Sequence, residues 1–267
     1  MKKTGKLSST YLLVFFALLY LPVLSVILYS FNKSPSTAQW TGWTFDWYRE
    51  LFGDPVIADN LKNSLTVALL TALLSAVIGT FAAIISMNLT KNMKKTLQSV
   101  MLIPLLVPEV ALGISLLIFF NALGLPFGIL TLVLSHSLFC VPYIYIMVRL
   151  RLVEIDKAVL EAARDLGAGT RQVIGTIILP LVTPSIVTAS LLAIAMSLDD
   201  VVLSMYMSGP STTTLPVHIF SRMRIGVTPK INALCTLILL GTFIIVGLSQ
   251  FISRGPKKKE KIKNEDF

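Results

Sequence analysis

Residues 63–90 read NSLTVALLTALLSAVIGTFAAIISMNLT, a run of 28 positions without one charged side chain. A hydrocarbon core about 30 Å thick is crossed by about 20 apolar residues in helix. Only a helix or a closed barrel satisfies every backbone amide away from water, and the short alternating pattern of a barrel strand is missing here. The stretch is therefore predicted to be a spanning helix. Working outward, residues 11–31, 128–148 and 231–252 are equally free of charge. Residues 96–120 carry only Glu109, and residues 181–207 carry only Asp199 and Asp200. The expectation is an all-α polytopic membrane protein with six transmembrane helices: a tail over residues 1–10, a spanning domain over residues 11–252 and a basic tail over residues 253–267.

Composition points the same way. Of the 267 residues, 54% are hydrophobic and 14% charged, with mean hydropathy +0.77, where a soluble domain carries about a quarter charged residues. That excludes a disordered chain, a nucleic-acid-binding domain and an ordinary cytosolic enzyme, although the net charge is +9. Lys2, Lys3 and Lys6 precede the first apolar run, as in a secretory signal. The run is too long for a signal core and five more spans follow, so it is read as a retained first helix.

The positive charges set an orientation. The N-terminal tail, the loop with Lys91, Lys94 and Lys95, the loop over residues 149–180 and the C-terminal tail together hold 17 of the 23 Lys and Arg residues. By the positive-inside rule these four segments face the cytoplasm, with both termini. Cys140 and Cys235 fall inside spans and are read as small buried hydrophobes; His136 and His218 have no second ligand at metal spacing, so no metal site is expected. Neither a G-x-x-x-x-G-K-[ST] phosphate cradle nor a G-x-S-x-G or H-E-x-x-H site occurs, and no catalytic residue is assigned. No cofactor is expected on this chain.

The loop over residues 149–180 is patterned. Asp156 can cap a helix starting at Lys157; Leu160, Ala163 and Gly167 fall on one face, with Glu161, Arg164 and Asp165 largely on the other. Gly167 and Gly169 should end that helix, and Thr170 should cap a second one running toward Pro180. Within it, Glu161-Ala162-Ala163, then Gly167, then Ile177, Leu179 and Pro180 fill every position of the EAA---G---------I-LP signature. In this the chain resembles the integral membrane permeases of bacterial ABC importers, of the type I (MetI-like) fold. The resemblance implies that the loop docks into a separate ATP-hydrolysing subunit, where ATP and Mg would be bound. Phe31-Asn32-Lys33-Ser34, Trp47-Tyr48, Asn63-Ser64-Leu65-Thr66, Ser135-His136, residues 160–169, Met196-Ser197-Leu198-Asp199-Asp200-Val201-Val202 and residues 227–233 extend the likeness to the spermidine/putrescine permeases of that family. Such a subunit is implied to pair with a homologous second permease as a heterodimer, two ATP-binding subunits and an extracytoplasmic polyamine-binding protein, in lipid of a bacterial cell membrane, with no nucleic acid.

The residues support a cationic cargo on their own. Glu109, Asp199 and Asp200 are the only acids within spans, and no Lys or Arg lies in a span to pair with them. A carboxylate at membrane depth costs about 2.5 kcal/mol or more, so each needs a partner, a water-filled cavity or a proton. Pro108 can kink its helix beside Glu109. Ser197, Asp200 and Ser204 share a stripe, and Asp199 turns about 100° away from it, so the two aspartates are expected to act differently. Aromatic faces can hold ammonium groups, but Trp40 and Trp43 are read as an interfacial belt; the resemblance to the polyamine permeases implies a pathway role for Trp47, and Tyr20 and Tyr206, within spans, are candidates of the same kind. Residues 215–225 read as a partial helix on the outer side, where Arg222 and Arg224 would suit acidic groups of the binding protein. Another small cation, ferric iron or a phosphonate is the alternative cargo, although an anion fits three intramembrane acids poorly. An intramembrane aspartyl protease is excluded because Asp199 and Asp200 are adjacent, and a proton-coupled carrier would leave the EAA loop unexplained.

Overall fold

The computed structural model describes residues 6–253; Lys2, Lys3 and the basic positions from Arg254 onward, on which much of the orientation rests, lie outside them. Twelve helices occur among the described residues: α1 Lys6–Tyr29, α2 Asp46–Phe52, α3 Pro55–Met87, α4 Lys91–Leu106, α5 Glu109–Ala122, α6 Ile129–Val153, α7 Lys157–Asp165, α8 Thr170–Val173, α9 Leu179–Asp199, α10 Val202–Met207, α11 Leu215–Met223 and α12 Pro229–Ser253. A π-helical turn, Ile174–Ile178, joins α8 to α9. The chain forms two compact units, Met1–Asn63 with Thr213–Thr242 and Ser64–Thr212 with Phe243–Phe267.

Four helical stretches are long and apolar enough to cross a membrane: Thr10–Tyr29, Pro55–Met87, Ile129–Val153 and Thr170–Asp199. The expected spans at residues 11–31, 63–90 and 128–148 each have a counterpart here. The expected single helix over residues 96–120 does not form: α4 and α5 meet at Val107–Pro108 with a bend of 103°. Val107 precedes a proline, which pushes its ψ to 129°, and Pro108 offers no amide to the helical ladder. Counted as one broken span, the pair is a fifth. The sixth expected span falls on α12, whose apolar described part, Pro229–Ile244, is shorter than a full crossing. The single helix expected over residues 181–207 is also broken, since α9 stops at Asp199 and the backbone of Asp200 is extended at ψ 124°.

In the larger unit α6 is the central element. Cys140, Ile144, Tyr145 and Val148 are fully buried on it, and Val182, Ala189 and Ala193 of α9 belong to the same apolar cluster; Leu132, also fully buried on α6, packs in a second cluster with Val67, Phe120 and Met207. Gly79 of α3 comes so close that a Cβ there would lie 2.9 Å from the Ile144 side chain. Small residues permit such approach between spanning helices, where packing rather than water expulsion holds them together. α5 and α10 also pack on each other: a Cβ on Gly113 would lie 2.5 Å from the Tyr206 ring.

The smaller unit is organised by Asn32. Its side-chain oxygen accepts the Thr41 amide at 3.0 Å and its Nδ2 donates to the Gln39 carbonyl at 2.8 Å, closing the loop after α1. Its main-chain carbonyl accepts Trp47 Nε1–H at 2.7 Å. Leu51, Ile57, Leu215, Ala233 and Leu234 form the core, with Trp47 and Tyr48 packed on it. Lys230 bridges Glu50 at 2.7 Å and Asp54 at 3.0 Å. The partial helix expected at residues 215–225 is α11.

Candidate functional site

The two helix breaks face one cavity of about 510 Å³, lined by Pro104, Val107 and Glu109 from the first break, Phe139 and Tyr143 from α6, and Met196 and residues 199–203 from the second. Irregular backbone at membrane depth is tolerated where it is buried in protein or lines a water-filled cavity. The cavity thus accounts for both interruptions. Glu109 is the first residue of α5 and Asp199 the last of α9, and both are exposed. The Glu109 carboxyl stands within electrostatic reach of Asp199 and Asp200. No Lys, Arg or His lines this cavity among the described residues. Two aromatic faces, three carboxyls and no base make a wall suited to a cation with apolar stretches.

Asp200 is placed differently from its neighbour. Its side chain is 1% exposed. Oδ2 accepts the Ser204 amide at 2.8 Å, and Oδ1 the Leu203 amide at 3.4 Å, so the carboxylate caps the start of α10. His136 Nε2 lies 3.1 Å from Asp200 Oδ2 and 3.1 Å from Ser204 Oγ, while its Nδ1 lies 2.7 Å from Ser197 Oγ. The expected polar stripe of Ser197, Asp200 and Ser204 is therefore no continuous helix face, because the helix stops between them; all three gather on one buried imidazole instead. Ser197 and Tyr206 are absent from the cavity wall: the first bonds His136, and the second packs on Gly113. Trp47 and Tyr20 belong to the smaller unit, Trp47 half-buried in its core and Tyr20 exposed on α1 against Phe16.

His136, Phe139 and Tyr143 join the site only through the fold. They recur at i, i+3 and i+7 on α6, and that spacing was the available signal. The apolar character of the span concealed it.

At the loop over residues 149–180, Asp156 Oδ1 accepts the Ala158 amide at 2.9 Å and starts α7 as expected. Leu160 and Ala163 turn toward the core, while Glu161, Ala162, Arg164 and Asp165 are exposed. Leu166 at the end of α7 is 89% exposed, and Gly167 follows with φ +83°. Thr170 does not cap the second helix. Gly169 stands in the capping position, and no side chain bonds the free amides there. Nor does that helix stop toward Pro180. It widens into the π turn Ile174–Ile178 just before the residue that lacks an amide, and continues to Asp199. Ile177, Leu179 and Pro180 sit in and just after that turn.

In the smaller unit a cavity of about 250 Å³ is lined by Asp54, His218, Arg222 and Lys230 among apolar residues. The Lys230 hydrogen bond holds the Asp54 carboxyl below its ordinary pKa. Burial, with the nearby Arg222 charge, holds His218 below its own. Arg224 lies over the Phe220 ring, 4.7 Å from its centroid.

Residues 75–257 match the family described as binding-protein-dependent transport system inner membrane component. The chain is 36% identical over 248 residues to the spermidine/putrescine transport system permease protein PotC of Haemophilus influenzae, covering 93% of this chain and 96% of that one. It is 40% identical over 260 residues to the putrescine transport system permease protein PotI of Escherichia coli, covering 95% and 92%. Among solved structures it resembles a bacterial ABC transporter involved in import of the acidic polysaccharide alginate, with TM-score 0.75 at 19% identity over 93% of this chain and 94% of that one. It also resembles the MetNI methionine ABC transporter, with TM-score 0.62 at 20% identity over 74% and 94%.

Proposed function

We infer function from membership: the chain belongs to the family of binding-protein-dependent transport system inner membrane components, and its fold is that of the ABC importer permeases. It is a multi-pass membrane protein. We propose that it forms part of the translocation path for polyamines such as spermidine and putrescine. The observation that carries this is the cavity with Glu109, Asp199 and Asp200 and no base, beside the rings of Phe139 and Tyr143. The permeases it resembles at 34–40% identity are named for these amines. A protonated polyamine sets ammonium groups against carboxylates and methylene stretches against apolar wall. Trp47, Tyr20 and Tyr206 do not line this cavity and are proposed to meet ammonium groups elsewhere along the path, and Ser197 acts through His136.

The chain performs no catalysis in this reading. It works with a homologous second permease, two ATP-binding subunits that hold ATP and Mg, and an extracytoplasmic binding protein, with both termini in the cytoplasm. Glu161, Ala162 and Gly167 offer the exposed surface that meets an ATP-binding subunit, and Ala163, packed toward the core, seats the helix beneath it. Ile177, Leu179 and Pro180 begin the helix that carries its motion inward, and ATP-driven closure reaches the cavity as a rigid-body displacement of that helix.

Glu109→Gln and Asp199→Asn test the site in vesicles containing the complete importer. Each is expected to lower amine uptake about tenfold or more while the complex still assembles and hydrolyses ATP, a loss of the size expected for one desolvated charge pair. Undiminished uptake in both variants would remove the cation path from this cavity.

A further inference from the structure

Asp199 and Asp200 are neighbours in sequence and opposites in environment. Asp199 is exposed at the cavity, whereas the Asp200 carboxylate has three of its lone-pair directions taken by the Leu203 amide, the Ser204 amide and His136. An ionised carboxylate only accepts, so His136 Nε2 carries the imidazole proton. Nδ1 shares a hydrogen bond with the Ser197 hydroxyl 2.7 Å away. His136 is fully buried. The network joins α6, the end of α9, the break and the first turn of α10.

We propose that His136 and Asp200 are a positioning pair, which fixes the break between α9 and α10 so that Asp199 and Glu109 are the carboxylates that meet the cargo. This rests on the polyamine reading for the identity of the cargo, and on geometry alone for the pair. A residue that binds cargo needs acceptor directions open to the cavity, and Asp200 has given three of its roughly four to the protein, with its side chain 1% exposed. Removing His136 alone strands a buried carboxylate, which costs more than replacing both partners. The pair therefore acts as a unit.

The test uses the complete importer in vesicles. It reads the ratio of maximal spermidine to putrescine uptake and, without cargo, amide hydrogen exchange at residues 203–207. Asp199→Ser removes a charge that meets the cargo, and is expected to change the ratio about threefold or more with exchange unchanged. Asp200→Ala and His136→Phe are expected to lower both rates about fivefold, hold the ratio within about 1.5-fold and speed exchange about tenfold, as for loss of a cap. Asp200→Ser keeps a capping oxygen without the charge, and should recover about half of the lost rate and protection. Adding Asp200→Ser to His136→Phe should make the defect smaller, not larger. A ratio shift in Asp200→Ser equal to that of Asp199→Ser would overturn the proposal, and so would wild-type exchange in His136→Phe. If the unaltered importer carries neither amine, the polyamine reading falls, and the exchange measurements decide the pair by themselves: faster exchange that serine restores supports it, and unchanged exchange overturns it.

Discussion

Thr170 and Asp199 are the two ends of one helical stretch of 30 residues, which at 1.5 Å per residue is about 45 Å long. Thr170 follows the exposed turn of Leu166 and Gly167; Asp199 opens onto the acidic cavity. A displacement of the loop before Thr170 therefore has a direct mechanical route to a carboxyl at the cavity, through the π turn at Ile174–Ile178 and the ladder of α9. This joins the exposed loop turn to the acidic cavity through one helical stretch.

Gly167 is the residue that lets the loop turn. Its φ of +83° suits glycine, and no atom crowds the place of a Cβ, so only the backbone opposes a side chain there. Gly167→Val is expected to strain the turn by about 1–2 kcal/mol and lower ATP-driven uptake about tenfold. Gly167→Asn, which tolerates the left-handed region, is expected to keep most of the activity. Uptake and ATP hydrolysis measured together in vesicles check this, and equal uptake by the Val and Asn variants would contradict it.

Gly113 and Tyr206 fix the contact between α5 and α10. A Cβ at Gly113 would stand 2.5 Å from the ring, so Gly113→Ala forces Tyr206 aside. Overpacking of this kind costs about 1–3 kcal/mol. The thermal midpoint of the purified chain is expected to fall by several degrees, and Tyr206→Leu in the same chain should recover part of the loss. A midpoint unchanged by Gly113→Ala would show that the two helices are not held this closely.

The smaller unit should weaken in acid in two steps. His218 has a folded pKa below its ordinary value, so under about pH 6.5 the unfolded chain binds more protons there than the folded one, and stability falls as pH drops. Asp54, depressed by Lys230, contributes stability that is present above its ordinary pKa of 3.8 and is lost only as pH falls through the lowered value. All three tryptophans, Trp40, Trp43 and Trp47, lie in this unit, so tryptophan emission during thermal unfolding reports it. His218→Gln should abolish the step between pH 7 and 5, and Asp54→Asn the step below pH 4. A midpoint flat from pH 7 to 5 in the unaltered chain would contradict the placement of His218.

Much of the fold was legible because a membrane permits few structures. Runs such as residues 63–90 have to be helical, and Asp156 marked its helix start as a capping residue does in water. The breaks were harder to see for the same reason. Apolar residues flank both breaks, with only Glu109 at the first and Asp199 and Asp200 at the second, so hydropathy averaged over a span cannot separate one long helix from two short ones that meet. Pro108 announced a disturbance without giving its size, a bend of 103°. Thr170 looked like a cap and is helical, because Gly169 fills that place. The acids at the cavity were conspicuous as charges in apolar runs. His136, Phe139 and Tyr143 blended into a span, and their role follows only from the fold that sets them opposite Asp199 and Asp200.

The most direct measurement of the central claim is uptake of labelled spermidine and putrescine into vesicles that hold this chain with its partner permease, ATP-binding subunits and binding protein, compared with an uncharged control solute. The account predicts ATP-dependent uptake of at least one amine, none of the control, and loss of that uptake in Glu109→Gln with Asp199→Asn. ATP-dependent uptake of an anion in place of both amines, or amine uptake untouched by the paired substitution, would contradict it.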